Sequence, residues 1–425
     1  MPDNLADWLV FLESQHPKSI ALGLERVAEV KQQLNLNPEF PIITVGGTNG
    51  KGSVCAMLES ILYAAGFKVG CYTSPHLLQY NERVRVNKHQ ASDKELCASF
   101  DAIEQARGDI PLTYFEFGTL AAMQCFISHK ADVAILEVGL GGRLDAVNVF
   151  ESDCALVTNV DIDHTDYLGD TREQIAFEKA GIYRKGKVAI CADEDIPQTL
   201  SEHARQIGAD LWRIGSEFSL RKLQDQWDFK SQSRSRSSLP YPALRGAYQL
   251  NNASAALAAL DAVQDKLPVN MGAIRRGLTE VTLPGRFQII PGRPQLILDV
   301  GHNLHAAQSL ASNLAALPPC RHSYAVFAML SDKDIAGVAE TLVERVDTWL
   351  LAGINAPRGA KADELQQVLR QSGIKGEMLL FDTIADAVTY AYNVAGEDDR
   401  ISAFGSFYTI SEVMQARDMS ISSFT

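Results

Sequence analysis

A chain of 425 residues is long enough for two or three domains of about 150 residues each. It is 46% hydrophobic and 21% charged, the balance of a globular protein. Its formal charge of −13 argues against a general affinity for nucleic acid, which needs a positive face, but not against an anion held in a local pocket. The seven cysteines are scattered and form no CxxC pair, which suits buried free thiols in a reducing compartment. The N-terminus lacks a basic-then-apolar leader. No apolar run reaches the roughly 18 residues of a membrane helix. A cytoplasmic protein without nucleic-acid or membrane partners is expected. The sequence shows no long coiled-coil or exposed apolar stripe, so a monomer is expected.

Taken in order, Leu5, Trp8, Leu9 and Leu12 recur at helical spacing over residues 3–15, and a second helix runs from Gly23 to Leu34. Residues 42–45 read as a short buried strand. Glycines then fall at 46, 47, 50 and 52 around Lys51, and a packed helix follows from Val54. Strand, glycine loop and helix make the layout of a phosphate cradle. Glycine lets backbone N–H groups face an anion with no side chain in the way. Lys51 can reach the outer phosphates, and Ser53 can offer a hydroxyl to Mg²⁺. Gly52 separates Lys51 from Ser53, so the usual G-x-x-x-x-G-K-[ST] order is not met. A tight βα turn that binds nothing is the plain alternative.

Residues 68–73 form a second strand that runs into Ser74-Pro75-His76-Leu77, at the strand end where α/β proteins bind ligands. Residues 81–87 alternate like a strand. They read either as a solvated loop and edge strand or as a lid carrying Arg83. A helix covers 93–107, and the aromatic run 113–117 leads into an apolar helix over 119–127. The strand at 131–138 ends in Glu137, and a carboxylate there is costly unless it binds something, in a nucleotide site usually Mg²⁺. The strand at 154–160 ends in the polar cluster 161–166, where His164 could join Glu137 in a divalent-cation centre. Glu178 and Lys179 lie late in a helix over 171–180, as site residues or as ordinary surface. A strand at 187–190 and a helix at 199–207 follow. Residues 211–240 read as short antiparallel strands whose Ser/Arg-rich end is a solvated hairpin tip. A helix opens near Gly246 with Gln249, Asn251 and Asn252 in its first turns. Pro284 and Gly285 mark a domain boundary. The βα rhythm then restarts, with strands at 295–300, 325–329, 348–352, 377–381 and 400–404. No second glycine-rich phosphate loop appears.

Together these motifs resemble one family. Gly47-Thr48-Asn49-Gly50-Lys51-Gly52-Ser53 resembles the nucleotide loop of the folylpolyglutamate synthases, within the Mur ligase superfamily. Ser74-Pro75-His76-Leu77, Glu82-Arg83, Tyr114-Phe115-Glu116, the run 137–145, Asp163-His164-Thr165, the run 178–181, Pro284-Gly285-Arg286 and Asp299-Val300-Gly301-His302-Asn303 extend the match over essentially the whole chain. The resemblance implies an α/β protein: a P-loop ATPase domain with a mostly parallel sheet and a small antiparallel sheet over 1–285, then a Rossmann-like α/β domain over 286–425. It implies an ATP-dependent ligase that joins L-glutamate to dihydropteroate and to the tail of reduced folates through an acyl phosphate. A synthase limited to tail extension and a nucleotide-gated binding protein remain the alternatives.

Roles follow from the same resemblance. The loop 47–53 holds ATP, with Lys51 on the β/γ-phosphates and Ser53 and Glu137 on one Mg²⁺. His164 and a carbamylated Lys179 serve a second Mg²⁺, and a monovalent cation is a further expectation. Asn252 faces adenine, Arg286 the γ-phosphate, and Asp299 and His302 the ribose and phosphates. Ser74, Pro75, His76, Leu77, Arg83, Phe115 and Asp145 contact the pterin-bearing substrate, and Ser406 is a candidate for the glutamate pocket. Domain closure about residues 284–287 is expected to exclude water from the acyl phosphate. Gly46 and Gly301 depart from the alanine expected in close relatives, and Gln249 from a common histidine.

Overall fold

The computed structural model describes residues 2–16 and 21–419. The chain forms two compact units. The first combines the chain up to Ala243 with Leu250–Val281, and the second combines Leu244–Gln249 with the chain from Thr282 onward.

The first unit is built on eight strands: β1 (Ile42–Gly46), β2 (Val69–Tyr72), β3 (Val84–Val86), β4 (His89–Gln90), β5 (Val133–Glu137), β6 (Cys154–Val157), β7 (Val188–Cys191) and β8 (Asp210–Arg213). Their order is β4-β3-β2-β5-β1-β6-β7-β8. All pairs from β2 to β8 are parallel, whereas β3 and β4 attach antiparallel at one edge. Every residue of β1 and β5 is buried, as expected of central parallel strands covered on both faces. That explains their near-continuous apolar sequences. The helix Lys51–Ala64 follows β1 and packs against the helix Met271–Glu280, where Gly277 lies directly on the Ile61 backbone. Helices Leu5–Ser14, Asp93–Arg107 and Tyr114–Ser128 form a neighbouring layer whose core includes Trp8, Phe100 and Phe117.

Several sequence expectations shift here. The segment 81–87 is neither solvated nor at the sheet edge. It forms a 3₁₀ turn, Tyr80–Arg83, and then β3, which lies between β2 and β4. Alternation does put Val84 and Val86 inward, but Glu82 is buried too, and Arg85 forms an ion pair with the buried Glu59 at 2.9 Å. The aromatic run at 113–117 does not precede its helix but starts it: Thr113 and Glu116 form a capping box at the first turn of Tyr114–Ser128. The strand expected at 154–160 ends at Val157, because the polar residues beyond leave the ladder for the ligand-side loop. The stretch 210–213 extends the main sheet in parallel as β8.

The small antiparallel sheet contains only β9 (Phe218–Lys222), β10 (Gln226–Ser231) and β11 (Ser235–Pro240), in the order β11-β10-β9. Its arginine run is not wholly a solvated tip. Arg234 is exposed, but Arg236 is 6% exposed and makes a two-pronged ion pair with Asp261 of the helix Gln249–Ala262. Ser231 donates a third hydrogen bond to the same carboxylate at 2.7 Å.

The second unit has a six-stranded sheet of β12 (Gln288–Ile290), β13 (Gln295–Asp299), β14 (Ser323–Phe327), β15 (Thr348–Ala352), β16 (Glu377–Phe381) and β17 (Arg400–Phe404), ordered β12-β13-β17-β14-β15-β16. Only β12 is antiparallel. Phe327, Trp349 and Phe404 form its aromatic centre, with ring centroids 5.2–6.2 Å apart. The fold is therefore mixed α/β, with a large mostly parallel sheet, a small antiparallel sheet and a C-terminal α/β unit. All seven cysteines are free, and Cys97 and Cys320 are half-exposed while the others are buried. Among the described residues, no helix is long and apolar enough to cross a membrane.

The Arg236–Asp261 pair ties the small sheet to a helix in the first unit. Removing one partner leaves a buried charge without its counter-charge, so Asp261→Ala should cost roughly 3–5 kcal/mol. A urea titration followed by tryptophan fluorescence should show the lower midpoint, and an unchanged midpoint would contradict the assignment.

Candidate active site

The glycine loop sits where β1 ends and the helix Lys51–Ala64 begins. Gly47 has φ +137 and Gly50 has φ +84, both in the region that favours glycine. The space beside Gly47 is filled by Thr158: a Cβ at Gly47 would overlap the threonine hydroxyl. At Gly50 a Cβ would come within 2.6 Å of the Asn252 side-chain oxygen, so Asn252 packs directly against the loop. The end of β6 holds the loop from the other side. Thr48 N–H donates to the Asn159 carbonyl (2.9 Å), Asn49 N–H to Asn159 Oδ1 (2.8 Å), and the Thr158 hydroxyl to the Asn49 carbonyl (2.5 Å). Thr48 Oγ1 accepts from Asp161 N–H (3.0 Å). Lys51 folds back so that Nζ donates to the carbonyls of Gly47 and Thr48 at 3.1 and 3.2 Å. The result is a shaped loop with a cation at its mouth and a helix N-terminus behind it, the arrangement that binds phosphate.

Ser53 lies in the first turn of this helix and is buried. Glu137 pairs in register with Val45, so it stands at the same end of the sheet as the loop. Its buried carboxylate accepts from Ser74 N–H at 3.1 Å. A hydroxyl and a carboxylate are hard oxygen donors of the kind Mg²⁺ takes, and Mg²⁺ usually keeps waters and substrate phosphates as its other ligands. Among the described residues no group of three or more His, Cys, Asp or Glu side chains is arranged as a metal cage. That is compatible with an ion held by few protein ligands.

Lys179, in the helix Arg172–Ala180, is only 4% exposed. Burial, reinforced by nearby Lys51, brings its amine down from 10.5 to about 7, against the pull of Asp163 and Asp145. Asp145 moves the opposite way. Burial raises its carboxyl to about 7, even though it accepts N–H groups from Leu140 (2.8 Å) and Val147 (3.0 Å) and feels Lys51. Lys51, Lys179, Asp145 and Asp163 thus share one electrostatic neighbourhood. Glu178 faces away into an ion pair with Arg143 (2.8 Å), and its carbonyl accepts Arg143 N–H (2.7 Å), which pins the lysine's helix to the 139–145 loop. His164 has φ +53, and its backbone N–H donates to Asp163 Oδ1 at 2.8 Å; its ring lies 3.9 Å from that carboxylate.

Beside this centre lies an aromatic cluster. Tyr72 meets Phe115 at 5.7 Å, and Phe115 lies flat on Gly139, where a Cβ would touch its ring. Arg83 sits over the rings of Tyr80 and Tyr114, 5.4 Å from each, and its Nε donates to His76 Nδ1 at 2.8 Å. Ser74, Pro75, His76, Leu77, Arg83 and Phe115, spread over forty positions, therefore meet in one place. Sequence reading missed Thr158 and Asn159, and gave Glu82 no role of its own, because each acts through contacts that no local pattern announces.

In the second unit, Arg286 lies over the Phe407 ring (4.9 Å). Asp299 accepts from Phe287 N–H (2.8 Å) and Gly301 N–H (2.7 Å), and burial raises its pKa. The His302 ring bonds to the Val300 carbonyl (2.9 Å) and stands 6.4 Å from Phe407. These three residues gather at one end of β13. Ser406 is buried and caps the helix Phe407–Ala416: its oxygen accepts from Thr409 N–H (3.0 Å) and bonds Thr409 Oγ1 (2.8 Å). Its hydroxyl thus has a structural task.

Comparison with known proteins decides the family. The Mur ligase middle domain matches residues 45–260, and the Mur ligase glutamate ligase domain matches residues 285–407. The chain is 46% identical to the dihydrofolate synthase/folylpolyglutamate synthase of Escherichia coli strain K12, over 97% of this chain and 96% of the relative. This chain belongs to the dihydrofolate synthase/folylpolyglutamate synthase family of Mur ligases. The structure of E. coli FolC in complex with DHPP and ADP superposes with a TM-score of 0.93 at 45% identity, covering 98% of this chain and 99% of that one. A bifunctional folylpolyglutamate synthase/dihydrofolate synthase with Mn, AMPPNP and L-glutamate bound gives 0.91 at 45% identity, covering 98% of each. The nucleotide loop and Lys179 belong to an ATP-dependent ligase.

A lysine near neutrality at pH 7 is a nucleophile where ordinary lysines are not. Acetic anhydride, an electrophile with no titration of its own in this range, should acetylate Lys179 with a rate that rises through pH 7 and levels above pH 8, since only the free amine reacts and its fraction grows as pH passes about 7. Peptide mass spectrometry across pH 6–9 checks this; a rate still climbing tenfold per pH unit above 8 would mean an ordinary lysine.

Proposed function

We propose that this chain joins L-glutamate to dihydropteroate, giving dihydrofolate, and to the glutamate tail of reduced folates. One observation carries the reading: a phosphate cradle adjoins an aromatic, arginine-bearing cluster, with Ser74 hydrogen-bonded to Glu137 between them. A flat ring can lie in the second while its carboxylate approaches a nucleotide in the first.

A carboxylate is not attacked by an amine, because the leaving group would be oxide. Phosphorylation solves this. The substrate carboxylate attacks the γ-phosphorus of ATP, the bond to the β,γ-bridging oxygen breaks, and ADP leaves. The amine of L-glutamate then attacks the acyl carbon, a proton is lost, and inorganic phosphate departs as the amide forms. The loop amides and Lys51 hold the β/γ-phosphates and take up the charge that spreads over them. Asn252 lies against the loop on the adenine side. Ser53 and Glu137 are the proposed ligands of one Mg²⁺, and His164 with Lys179 of a second. Bound divalent ions supply charge neutralisation on the phosphate oxygens.

We assign Lys179 a further role as a carbamate. Its free amine adds to CO₂, an N–C bond forms and a proton leaves, turning a neutral amine into an anion. Its burial supports this, since a buried lysine with a lowered pKa is free-amine-rich at physiological pH. Ser74, Pro75, His76, Leu77, Arg83, Phe115 and Asp145 are assigned to the pterin-bearing substrate. Residues 1–285 are assigned to ATP and pterin binding and 286–425 to glutamate ligation. Arg286, Asp299 and His302 are assigned to nucleotide phosphate and ribose. Ser406 remains a candidate near the glutamate pocket through its backbone, since its hydroxyl caps a helix. A cytoplasmic monomer is the working state, and a monovalent cation an added requirement.

ADP release measured with dihydropteroate plus L-glutamate, and separately with tetrahydrofolate plus L-glutamate, tests the reading. A product one glutamyl residue heavier is expected in both reactions. Product only with tetrahydrofolate would restrict the enzyme to tail extension, and no amide in either would overturn the reading. Lys51→Ala should lower kcat/KM at least 100-fold in both reactions.

A further inference from the structure

Two neighbouring residues organise the loop around Ser74–Leu77. Glu82 is buried, and its carboxylate accepts three consecutive backbone N–H groups: Leu77 (2.7 Å), Leu78 (2.7 Å) and Gln79 (2.6 Å). Three amides on one carboxylate fix the path of the loop. Arg83 acts on a side chain of the same loop, with its Nε donating to His76 Nδ1 at 2.8 Å. An arginine Nε carries its hydrogen at every accessible pH and cannot accept. His76 Nδ1 must therefore present a lone pair. A neutral imidazole has one N–H, so the hydrogen lies on Nε2. Protonating Nδ1 would delete this bond and set two cations against each other.

Resting on the assignment of this loop to the pterin-bearing substrate, we propose that His76 is a neutral hydrogen-bond donor to that substrate, with Arg83 setting its tautomer and Glu82 setting the loop on which it stands. His76 thereby selects an acceptor atom, a ring carbonyl or a carboxylate oxygen, and disfavours a ligand that presents a donor. The surroundings support a fixed neutral state. Burial first, and Arg83 second, lower the imidazole to about 4. Facing His76 are the Arg83 guanidinium and the Tyr80 ring (6.0 Å), whose phenol is itself held un-ionised by burial. Tyr80 and Tyr114 hold the other face of the guanidinium, so Arg83 is braced against turning away. The nearby Glu82 carboxylate is occupied by the three loop amides.

The test uses the full-length protein with ¹⁵N-labelled imidazoles, the His76 signals being identified by their loss in His76→Gln. The expected spectrum is a single Nε2–H tautomer, unchanged between about pH 5.5 and 8.5, whereas Arg83→Met should let the Nδ1–H tautomer appear and raise the imidazole's pKa, with burial still holding it below the ordinary value of about 6.5. An Nδ1–H tautomer, or titration near 6.5 in the wild type, overturns the proposal. The donor role is read separately in steady-state kinetics. His76→Leu should raise KM for dihydropteroate about tenfold with KM for ATP unchanged within twofold. His76→Gln, which keeps an N–H near the same place, should stay within about threefold of wild type. Equal KM values for the Leu variant and wild type overturn the donor role, as a merely structural histidine would predict. If the pterin assignment itself were wrong, the wild type would fail to use dihydropteroate, a result distinct from either variant outcome.

Discussion

The first unit depends on one close approach. The carboxyl end of β6 presses on the turn after β1, and Thr158 occupies the volume that any side chain at position 47 would need. Around that point Thr48 and Asn49 are tied by hydrogen bonds to Thr158, Asn159 and Asp161. These contacts, all made by the protein itself, hold the loop in the shape of a phosphate shell. The loop's glycines are thus explained by neighbours distant in sequence. Gly47 yields to Thr158 and Gly50 to Asn252, 111 and 202 positions away along the chain.

Charge burial is the second organising fact. Lys179 and Asp145 are pushed toward about 7 from opposite sides, the lysine losing its charge and the carboxyl gaining a proton. Neither group would be tolerated in a passive core, where an apolar residue of similar size costs nothing to bury. Arg236 and Asp261 show the structural use of buried charge for contrast. They meet directly, and a serine adds a further hydrogen bond to the carboxylate. A buried pair that satisfies itself holds two elements together. A buried lysine that shares its surroundings with a second lysine and two carboxylates is a site.

How much of this was legible in the sequence differs by distance along the chain. The helix Asp93–Arg107 and the strands Thr348–Ala352, Glu377–Phe381 and Arg400–Phe404 coincide with their sequence readings, because each is bounded by local breakers and patterned by its own period. The glycine loop with Lys51, and Glu137 at its strand end, stand out from their immediate neighbours, whereas Lys179 read equally as ordinary surface and only the family resemblance picked it out. What escaped depends on partners elsewhere. The helix Met271–Glu280 and the half-exposed three-residue β12 carry too weak a local pattern. Nothing near Arg236 announces that Asp261 will bury it. The segment 80–86 alternates visibly, but that alternation cannot say whether a two-residue strand will pair outside it and turn an edge into an interior position.

The two ends of the site also solve opposite problems. Phosphoryl transfer to a carboxylate brings two anions together, and the cradle meets that with Lys51, loop amides and a helix N-terminus. On the proposed assignment of the aromatic end to the pterin-bearing substrate, a flat ring lies there while its carboxylate extends toward the cradle. Arg83 is the one cation there whose guanidinium is spread over two tyrosine faces and one imidazole, which disperses its field over uncharged partners. Exchanging these chemistries would fail at both ends. A bare arginine beside the ring would draw the substrate carboxylate into a static ion pair, and a neutral cradle would leave the anion–anion approach unopposed. The Ser74 amide on Glu137 is where the two regimes meet.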